Sequence, residues 1–570
     1  LLDGSTQAAN LTWDASGSNP AAPTDGAGTW DTSTGNWSNG STDVAWTNAS
    51  DVAVFGRNGN AGAVTLAGAT TLGGISFNST ASGSYTIAAG GGSLVGVTGK
   101  SMTLSASANV TGAIAAPIIG ANGAFNSIEI NGPGVIVLTG ANSFVGPILN
   151  INAGATLSVP VMNNGSVDGP LGRSSGGLRL QGGILQFTGS TTTTCANALK
   201  IYAAGGTYDM EGSGVMNIGN HANGTGTMSA NRTIALTGNT TAANQKSGYG
   251  QLQSALLEWS GTITNNAKTS LLKTGTGSWY LAASTASTYS GTTTIQSGRL
   301  GIMLNNALPA TTTVILGKAG VTAPAMLDLG PVVNVSLGNG VSSYNLTVAG
   351  LSALGNDLTQ DVITNNDTSS AGLNHVATLT VNPDGAGASA ADSTFGGLLT
   401  NGGTSQLALT KAGSHSLTLV ANNTYSGGTN LTGGTLRTAA TGNLGTGNVN
   451  VSAGTLELDN NTSIADTANL TVAAGGVLNL QFTSTAGNAS TYEAVASLNL
   501  GGTVINTPTI FSAADYHGFD AYFAGSNSTA VLQVIPEPGS IIALAVCATG
   551  LLVRRQRQRS ASDSITFCYA

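Results

Sequence analysis

KAGSHSLTLVANNTYSGGTNLTGGTL, residues Lys411 to Leu436, is the stretch whose pattern decides the fold. It runs glycine turn, alternating apolar strand, small polar run, aromatic, Ser-Gly, second alternating strand, glycine, leucine. Two other stretches follow the same template: Lys273 to Leu300 (KTGTGSWYLAASTASTYSGTTTIQSGRL) and Gly134 to Leu157 (GVIVLTGANSFVGPILNINAGATL). Phe144, Tyr289 and Tyr425 occupy one slot of it. Shorter relatives, each a turn plus a strand, recur at Gly182-Gly183-Ile184-Leu185, Ala453 to Leu458 and Gly475 to Leu480.

Within these units the period is two. In Thr455-Leu456-Glu457-Leu458 both leucines share one face and Glu457 takes the other, and Asn448-Val449-Asn450-Val451 alternates in the same way. Such strands are half-buried and too short to stand alone. Stacking successive turns about 4.8 Å apart pairs each strand with the ones above and below and closes a continuous apolar column. The expected fold is therefore all-β: a right-handed parallel β-helix (β-solenoid) with roughly 20 to 25 residues per turn. It is expected to occupy residues 61–530, behind a Trp-rich N-terminal cap at 10–60, with a single hydrophobic helix near the C-terminus. A β-sandwich array is the competitor, disfavoured by irregular glycine spacing and the lack of an immunoglobulin-like Cys/Trp pattern.

Composition agrees with many short strands. Only 7% of the 570 residues are charged and 5% aromatic, against 41% hydrophobic and 82 glycines. Low charge with ample Val, Ile, Leu and Thr excludes highly charged disorder, and glycine without a Gly-X-Y period excludes collagen. A formal net charge of −8 repels phosphate backbones, so nucleic acid is not an expected partner. Cys195, Cys547 and Cys568 make no disulfide framework. Residues 1–9 (LLDGSTQAA) read either as the end of a secretory signal peptide or as an ordinary frayed terminus.

The C-terminal region reads as an address. Val534-Ile535-Pro536-Glu537-Pro538-Gly539 precedes an apolar run from Ile541 to Val553, followed by Arg554, Arg555, Arg557 and Arg559. A thirteen-residue helix would be about 20 Å long, short of the roughly 30 Å hydrocarbon core, but flanking arginines snorkel. The positive-inside rule leaves the arginines cytoplasmic and the residues before Pro536 outside. This order of parts, 534–559, resembles the PEP-CTERM sorting signal of envelope bacteria. The resemblance implies cleavage near Pro536-Glu537-Pro538 by an exosortase-type membrane protease. It also implies transient inner-membrane anchoring through 541–553, then an envelope, surface or extracellular destination. Residues 560–570 depart from that pattern and stay unexplained; Cys568 is third from the end, so this is no prenylation signal.

The repeats also carry a resemblance. The elements GANSF, TYSGTTTI and NTYSGGT…GGTL are similar to autotransporter-associated β-strand repeats, which implies a bacterial surface β-helix. Autotransporters end in a translocator barrel, whereas this chain is expected to end in the basic segment. Four of six tryptophans fall in the first sixty residues, in Trp13-Asp14, Gly28-Thr29-Trp30-Asp31, Asn36-Trp37 and Trp46. They resemble the opening of large repeat proteins bearing the same sorting tail. Two readings stand: a cap over the open solenoid end, or a platform on which Trp13, Trp30, Trp37 and Trp46 stack sugar rings.

Catalysis on such a fold would need convergent carboxylates. The best local cluster is Asp209 and Glu211, at strand spacing i, i+2 on one outward face, without a basic companion; a solvated strand face is the plain alternative. Asp515, His517 and Asp520 form a second, more in keeping with a terminal cap. His221, His375, His415 and His517 lack metal-ligand spacing, and no nucleophile elbow, P-loop or His-Glu-x-x-His occurs. No catalytic residue, metal or cofactor is expected. The expected function is an exported, non-catalytic structural or adhesion protein at the bacterial surface, contacting extracellular polysaccharide. A β-helix polysaccharide lyase or glycosidase, or a carbohydrate-binding surface protein, is the alternative.

Overall fold

Alternating segments become short strands with their apolar positions inside. Lys411 to Leu436 supplies strands Ser416–Leu419, Thr429–Leu431 and Thr435–Thr438, whose Leu417, Leu419, Leu431 and Leu436 are wholly buried. The computed structural model describes residues 8–536, apart from 48–49, 58, 121–124, 146–147, 164, 174–176, 196–198, 220, 240–248, 254–255, 257–259, 261, 332–342, 368–374, 385–390 and 403. Glu537, Pro538, the run 541–553, Arg554, Arg555, Arg557, Arg559 and 560–570 lie outside the described residues, and the expected C-terminal helix with them. Helical structure in the described part is limited to 3-10 turns such as Leu358–Gln360, Ala489–Thr491 and Asp520–Tyr522. Among the described residues no helix is long and apolar enough to cross a membrane.

The chain divides into two compact units: Leu1–Ala390 with Gly396–Gln406, and Ala391–Phe395 with Leu407–Ala570. In the first, the chain circulates through three faces. An eleven-stranded sheet reaches from the N-terminal strands to His221–Asn223, and a thirteen-stranded sheet from Gly28–Trp30 to Gly350–Ala353. The third face is a three-stranded sheet (Ala69–Leu72, Ser93–Gly96, Ile118–Ile119) and, farther along, an eight-stranded sheet from Thr193–Cys195 to Leu398–Asn401. Neighbouring strands are parallel, because each is the same part of the next coil.

In the second unit, Leu409, Thr429 and Val449 are partners on one face and Leu419, Thr438 and Leu458 on another. The long strand Val449–Leu458 carries both faces and shifts register between Val451 and Ala453, where a bulge bends it around the corner. Partners Leu409 to Thr429 and Thr429 to Val449 lie 20 residues apart, the low end of the expected turn length. Arg232 to Thr269 and Thr313 to Gly350 lie 37 apart, because insertions lengthen those coils without breaking the ladder.

Strand ends that face no further coil need covering. Antiparallel pairing among the named strands occurs only near the two chain ends: Asn10–Trp13 with Trp37–Ser38, Trp37–Ser38 with Asp43–Val44, Leu498–Leu500 with Thr503–Ile505, and Thr509–Ser512 with Val531–Val534. The three long repeats do not all sit alike. The first strand of the template is in the thirteen-stranded sheet for Val135–Leu138 but in the eight-stranded sheet for Ser278–Leu281. The second is in the eleven-stranded sheet for Ile148–Asn152 and in the thirteen-stranded sheet for Thr293–Ile295.

Candidate functional site

The aromatic slot is interior. Phe144, Tyr289 and Tyr425 are all buried. Each tyrosine hydroxyl meets a buried threonine four residues on, Thr293 Oγ1 at 2.5 Å and Thr429 Oγ1 at 2.6 Å. Burial pushes both phenols well above the usual tyrosine range. Two residues before the slot, a buried polar side chain ties the turn to an adjacent coil. Asn142 accepts from Ile118 N and donates to Pro170 O, Ser287 Oγ accepts from Leu256 N, and Asn423 donates to Asn443 O. In the sequence these positions look like a generic small polar run.

The two lysines that open the later repeats were also easy to misread as surface charges. Both are fully buried. Lys273 Nζ donates to Thr274 O (2.5 Å), Gly275 O (2.9 Å) and, on the next coil, Ser297 O (3.1 Å). Lys411 Nζ repeats the pattern on Ala412, Gly413 and Gly433. Burial pushes the Lys273 ammonium down to about 7. The signal available in the sequence was two lysines at one template position in a chain with only 17 Lys and Arg.

Trp13, Trp30, Trp37 and Trp46 are at most 2% exposed and pack on one another at 4.7 to 5.2 Å between ring centroids. Phe55 and Phe77 continue the stack into the coils. Trp13 Nε1 donates to Gly26 O and Trp46 Nε1 to Thr71 O. A sugar platform needs an open ring face, so the glycan-contact reading of these four residues is corrected: their area goes into closing the solenoid end. The Trp-Asp dipeptides then make local sense. Each indole goes inward and each aspartate ties the following turn. Burial disfavours ionised Asp14, but N–H donors from Thr24, Ser16 and Asn19 and two hydroxyls outweigh it and hold its carboxyl well below the usual range. Asp31 binds Ser33 N and Thr34 N.

The outer face of the eleven-stranded sheet carries a continuous polar ladder. The backbone register sets Glu129 opposite Asn150, Asn150 opposite Arg179, and Arg179 opposite Lys200. Glu129 accepts from Ser127 Oγ (2.6 Å), Asn150 Nδ2 (2.6 Å) and Asn152 Nδ2 (2.9 Å). Asn152 also donates to Asn131, and Gln181 to Asn150. Arg179 lies 5.4 Å from the centre of the Tyr202 ring. This is a regularly spaced array of amides, a carboxylate and cations, suited to many weak polar contacts rather than to chemistry.

The carboxylate candidates do not converge into a catalytic groove. Asp209, on the strand Gly206–Met210, and Glu211 just past it share the outer face of the thirteen-stranded sheet, where burial and then the charge of Asp209 push the Glu211 carboxyl upward. A groove of about 630 Å³ is lined by Val95, Ile119, Ser143 and Val145 beside the Asp168–Arg173 pair, and a pocket of about 440 Å³ by Asn78 to Tyr85 and Asn109. Neither holds two carboxylates. His517 meets Asp515 at 3.3 Å on the exposed C-terminal cap, packed edge-on to Phe511, while Asp520 opens a 3-10 turn there.

Sequence reading missed a polar cluster in the interior. Arg299 pairs with the fully buried Asp328, which also accepts from Gly330 N, Asn366 N and Asn366 Nδ2. Nearby, the buried Asp367 accepts from Ser343 Oγ and meets His375 Nδ1 at 2.8 Å. Among the described residues no three His, Cys, Asp or Glu gather closely enough to hold a metal. Pro536 is buried, two residues past the strand Val531–Val534.

Against this geometry, the Passenger-associated-transport-repeat family matches residues 131–159, 271–302 and 409–437, the three stretches that share the buried aromatic slot. A stretch of 165 residues is 35% identical to the adhesin BmaC autotransporter of Brucella suis biovar 1 (strain 1330). It covers 28% of this chain and 4% of that protein. No solved structure matches the chain. The protein is thus an all-β solenoid carrying three passenger-type repeats and similar, over part of its length, to a bacterial adhesin.

Proposed function

We propose that this chain is a surface-exposed, adhesin-type passenger that acts as a non-catalytic scaffold. The observation that carries the reading is the union of passenger-type repeats with an outward ladder from Glu129 to Lys200, whose groups repeat at the coil spacing. Each contact is weak; a polymer with its own repeat, such as extracellular polysaccharide, engages many at once. The adhesin similarity supports the same reading. Export through 534–559 belongs to the proposal: an exosortase-type protease would process the chain at Pro536-Glu537-Pro538, with Arg554, Arg555, Arg557 and Arg559 on the cytoplasmic side and 541–553 in the inner membrane until cleavage.

The full chain, produced in a host with the matching sorting machinery, tests both parts. Protease shaving of intact cells with peptide mapping is expected to find the solenoid outside and a new C-terminus near Pro536. Cosedimentation with the host's extracellular polysaccharide is expected to weaken several-fold when Arg179 and Lys200, the half-exposed cations of the ladder, are replaced together by alanine. Release of new reducing ends from the polysaccharide would overturn the scaffold reading in favour of an enzyme, and retention of Ala570 would overturn the processing step.

A further inference from the structure

The ladder on the outer face of the eleven-stranded sheet changes character along its length. In its first half the charge is met within the protein: Glu129 takes hydrogen bonds from Ser127, Asn150 and Asn152, and Asn150 accepts from Gln181. In its second half it is not. Arg179 on Leu178–Gln181 stands in register with Lys200 on Leu199–Ile201, so two cations share one face on adjacent coils whose backbones are about 4.8 Å apart. Among the described residues neither side chain makes an ion pair or a hydrogen bond, and Arg179 Nε is buried without a partner. Glu129 is two coils from Arg179 and already holds three donors, and the coil beyond sets Ala222 opposite Lys200. Like charges directly opposite one another weaken a ladder. Arg437 shows the compensated case: it stands in register with Glu457 and pairs with it and with Asp459.

We propose that Arg179 and Lys200 form an anion subsite of the ladder, so that the polymer it engages is an acidic polysaccharide bearing carboxylate or sulfate groups. The inference rests on the adhesin-type scaffold reading above and narrows its ligand. Arg179 brings a planar fork that takes two oxygens of one anionic group, and the Tyr202 ring, its centre 5.4 Å away, holds that fork in place. Lys200 adds a point charge from the next coil. An anion between the two replaces their repulsion with two attractions, a gain that a neutral sugar does not offer. Beside the pair, Gln181 follows on the Arg179 strand and Asn150 faces Arg179 from the preceding coil, where their amides suit the hydroxyls of neighbouring sugars. Elsewhere the chain's net charge of −8 repels such a polymer, which favours its approach at this face.

Binding of the full chain to neutral dextran, polygalacturonate and dextran sulfate, at about 0.1 M and about 1 M salt, tests the subsite, with the host's extracellular polysaccharide as reference. Wild type is expected to bind at least one acidic polymer several-fold more tightly than dextran at low salt and to lose that margin at high salt. The acidic polymer it prefers names the group, carboxylate or sulfate. Arg179→Gln with Lys200→Gln is expected to abolish the margin at an unchanged melting temperature, both side chains being half-exposed. Lys200→Gln alone, which leaves Arg179 on Tyr202, is expected to reduce it and reports even where the double variant melts low. Lys268→Gln with Lys318→Gln, at two exposed lysines elsewhere in the first unit, makes the same change in net charge and is expected to keep the margin. The proposal is overturned if wild type binds dextran and both acidic polymers alike, if the Arg179 and Lys200 variants keep the margin, or if the Lys268 and Lys318 variant loses as much. Equal binding of dextran leaves the scaffold reading standing, whereas binding to none of the four polymers sinks both.

Discussion

The repeat at 131–159 and those at 271–302 and 409–437 share a template yet fill its interior with opposite chemistry. The later two bury a lysine, a tyrosine and a threonine: Lys273, Tyr289 and Thr293, then Lys411, Tyr425 and Thr429. At the aligned positions the first has Ile130, just ahead of its matched stretch, Phe144 and, five residues past the slot, Leu149, all buried. What stays constant is backbone geometry. Gly132, Gly275 and Gly413, two residues after the Ile or Lys, all hold a positive φ, of 84°, 67° and 76°. The contrast teaches that the coil tolerates either interior provided polar groups are exchanged as a set: the tyrosine hydroxyl comes with its threonine and the ammonium with three carbonyls. The first repeat also sits one face away from the second around the circuit, so the template specifies a strand-turn-strand unit and not a place in the coil.

Truncating the shared slot should erase the difference. Phe144→Ala and Tyr425→Ala are each expected to cost about 3–5 kcal/mol, read as a fall in melting temperature or a rise in proteolytic cutting at the affected coil. A change below about 1 kcal/mol at either would mean that the slot is not a core position.

Exchanging only one member of a polar set should hurt more than exchanging both. Thr429→Val leaves the Tyr425 hydroxyl without its partner and is expected to cost about 1–3 kcal/mol. Adding Tyr425→Phe, which approaches the first repeat's chemistry, should restore much of the loss, with a coupling of about 0.5–3 kcal/mol in a double-mutant cycle. Strict additivity would show that the pair does not act as a unit.

The lysine brings a pH dependence that isoleucine lacks. The folded Lys273 value of about 7 lies below its ordinary 10.5. Above about 10.5 neither state carries the proton and the full stability is present. Between that point and 7 the unfolded chain takes up a proton the folded one resists. Stability therefore falls as pH drops through this window and levels below 7, with a slope of up to about 1.4 kcal/mol per pH unit. Lys273→Met should flatten the slope between pH 7 and 9; melts at the two pH values decide, and an unchanged slope sinks the assignment.

The smallest effect belongs to a surface pair peculiar to the third repeat. Arg437 meets Glu457 at 3.0 Å and Asp459 at 2.5 Å but is 47% exposed. Arg437→Ala is expected to cost about 0.2–1 kcal/mol at low salt and almost nothing near 1 M, where screening removes the pair.

Much of the fold was legible because its information is local. The leucines of Thr455 to Leu458, the valines at 449 and 451, and the glycine turns announce inward and outward faces within a few residues. The polar interior was not legible. Lys273 reads as a surface charge until Ser297 of the next coil closes over it, and Arg299 and Asp328 sit 29 residues apart on adjacent strands. The Trp cluster was ambiguous for the same reason: stacked in a core or open to a sugar, four tryptophans look identical in one dimension. Asp209 and Glu211 showed their shared face at i, i+2, but not the buried Oδ1 or the amides of the neighbouring coils.

By itself the sequence determined an all-β, repeat-built solenoid, its inward leucines and valines and its common aromatic position, because period-two alternation and glycine turns act over neighbouring residues. Only the tertiary structure decided which face each repeat occupies, that two lysines are interior, that four tryptophans close an end, and that Glu129 is surrounded by donors while Arg179 stands opposite Lys200. Each of these depends on what the next coil places opposite. With insertions that stretch the coil from 19 to 37 residues, no local pattern foretells that partner.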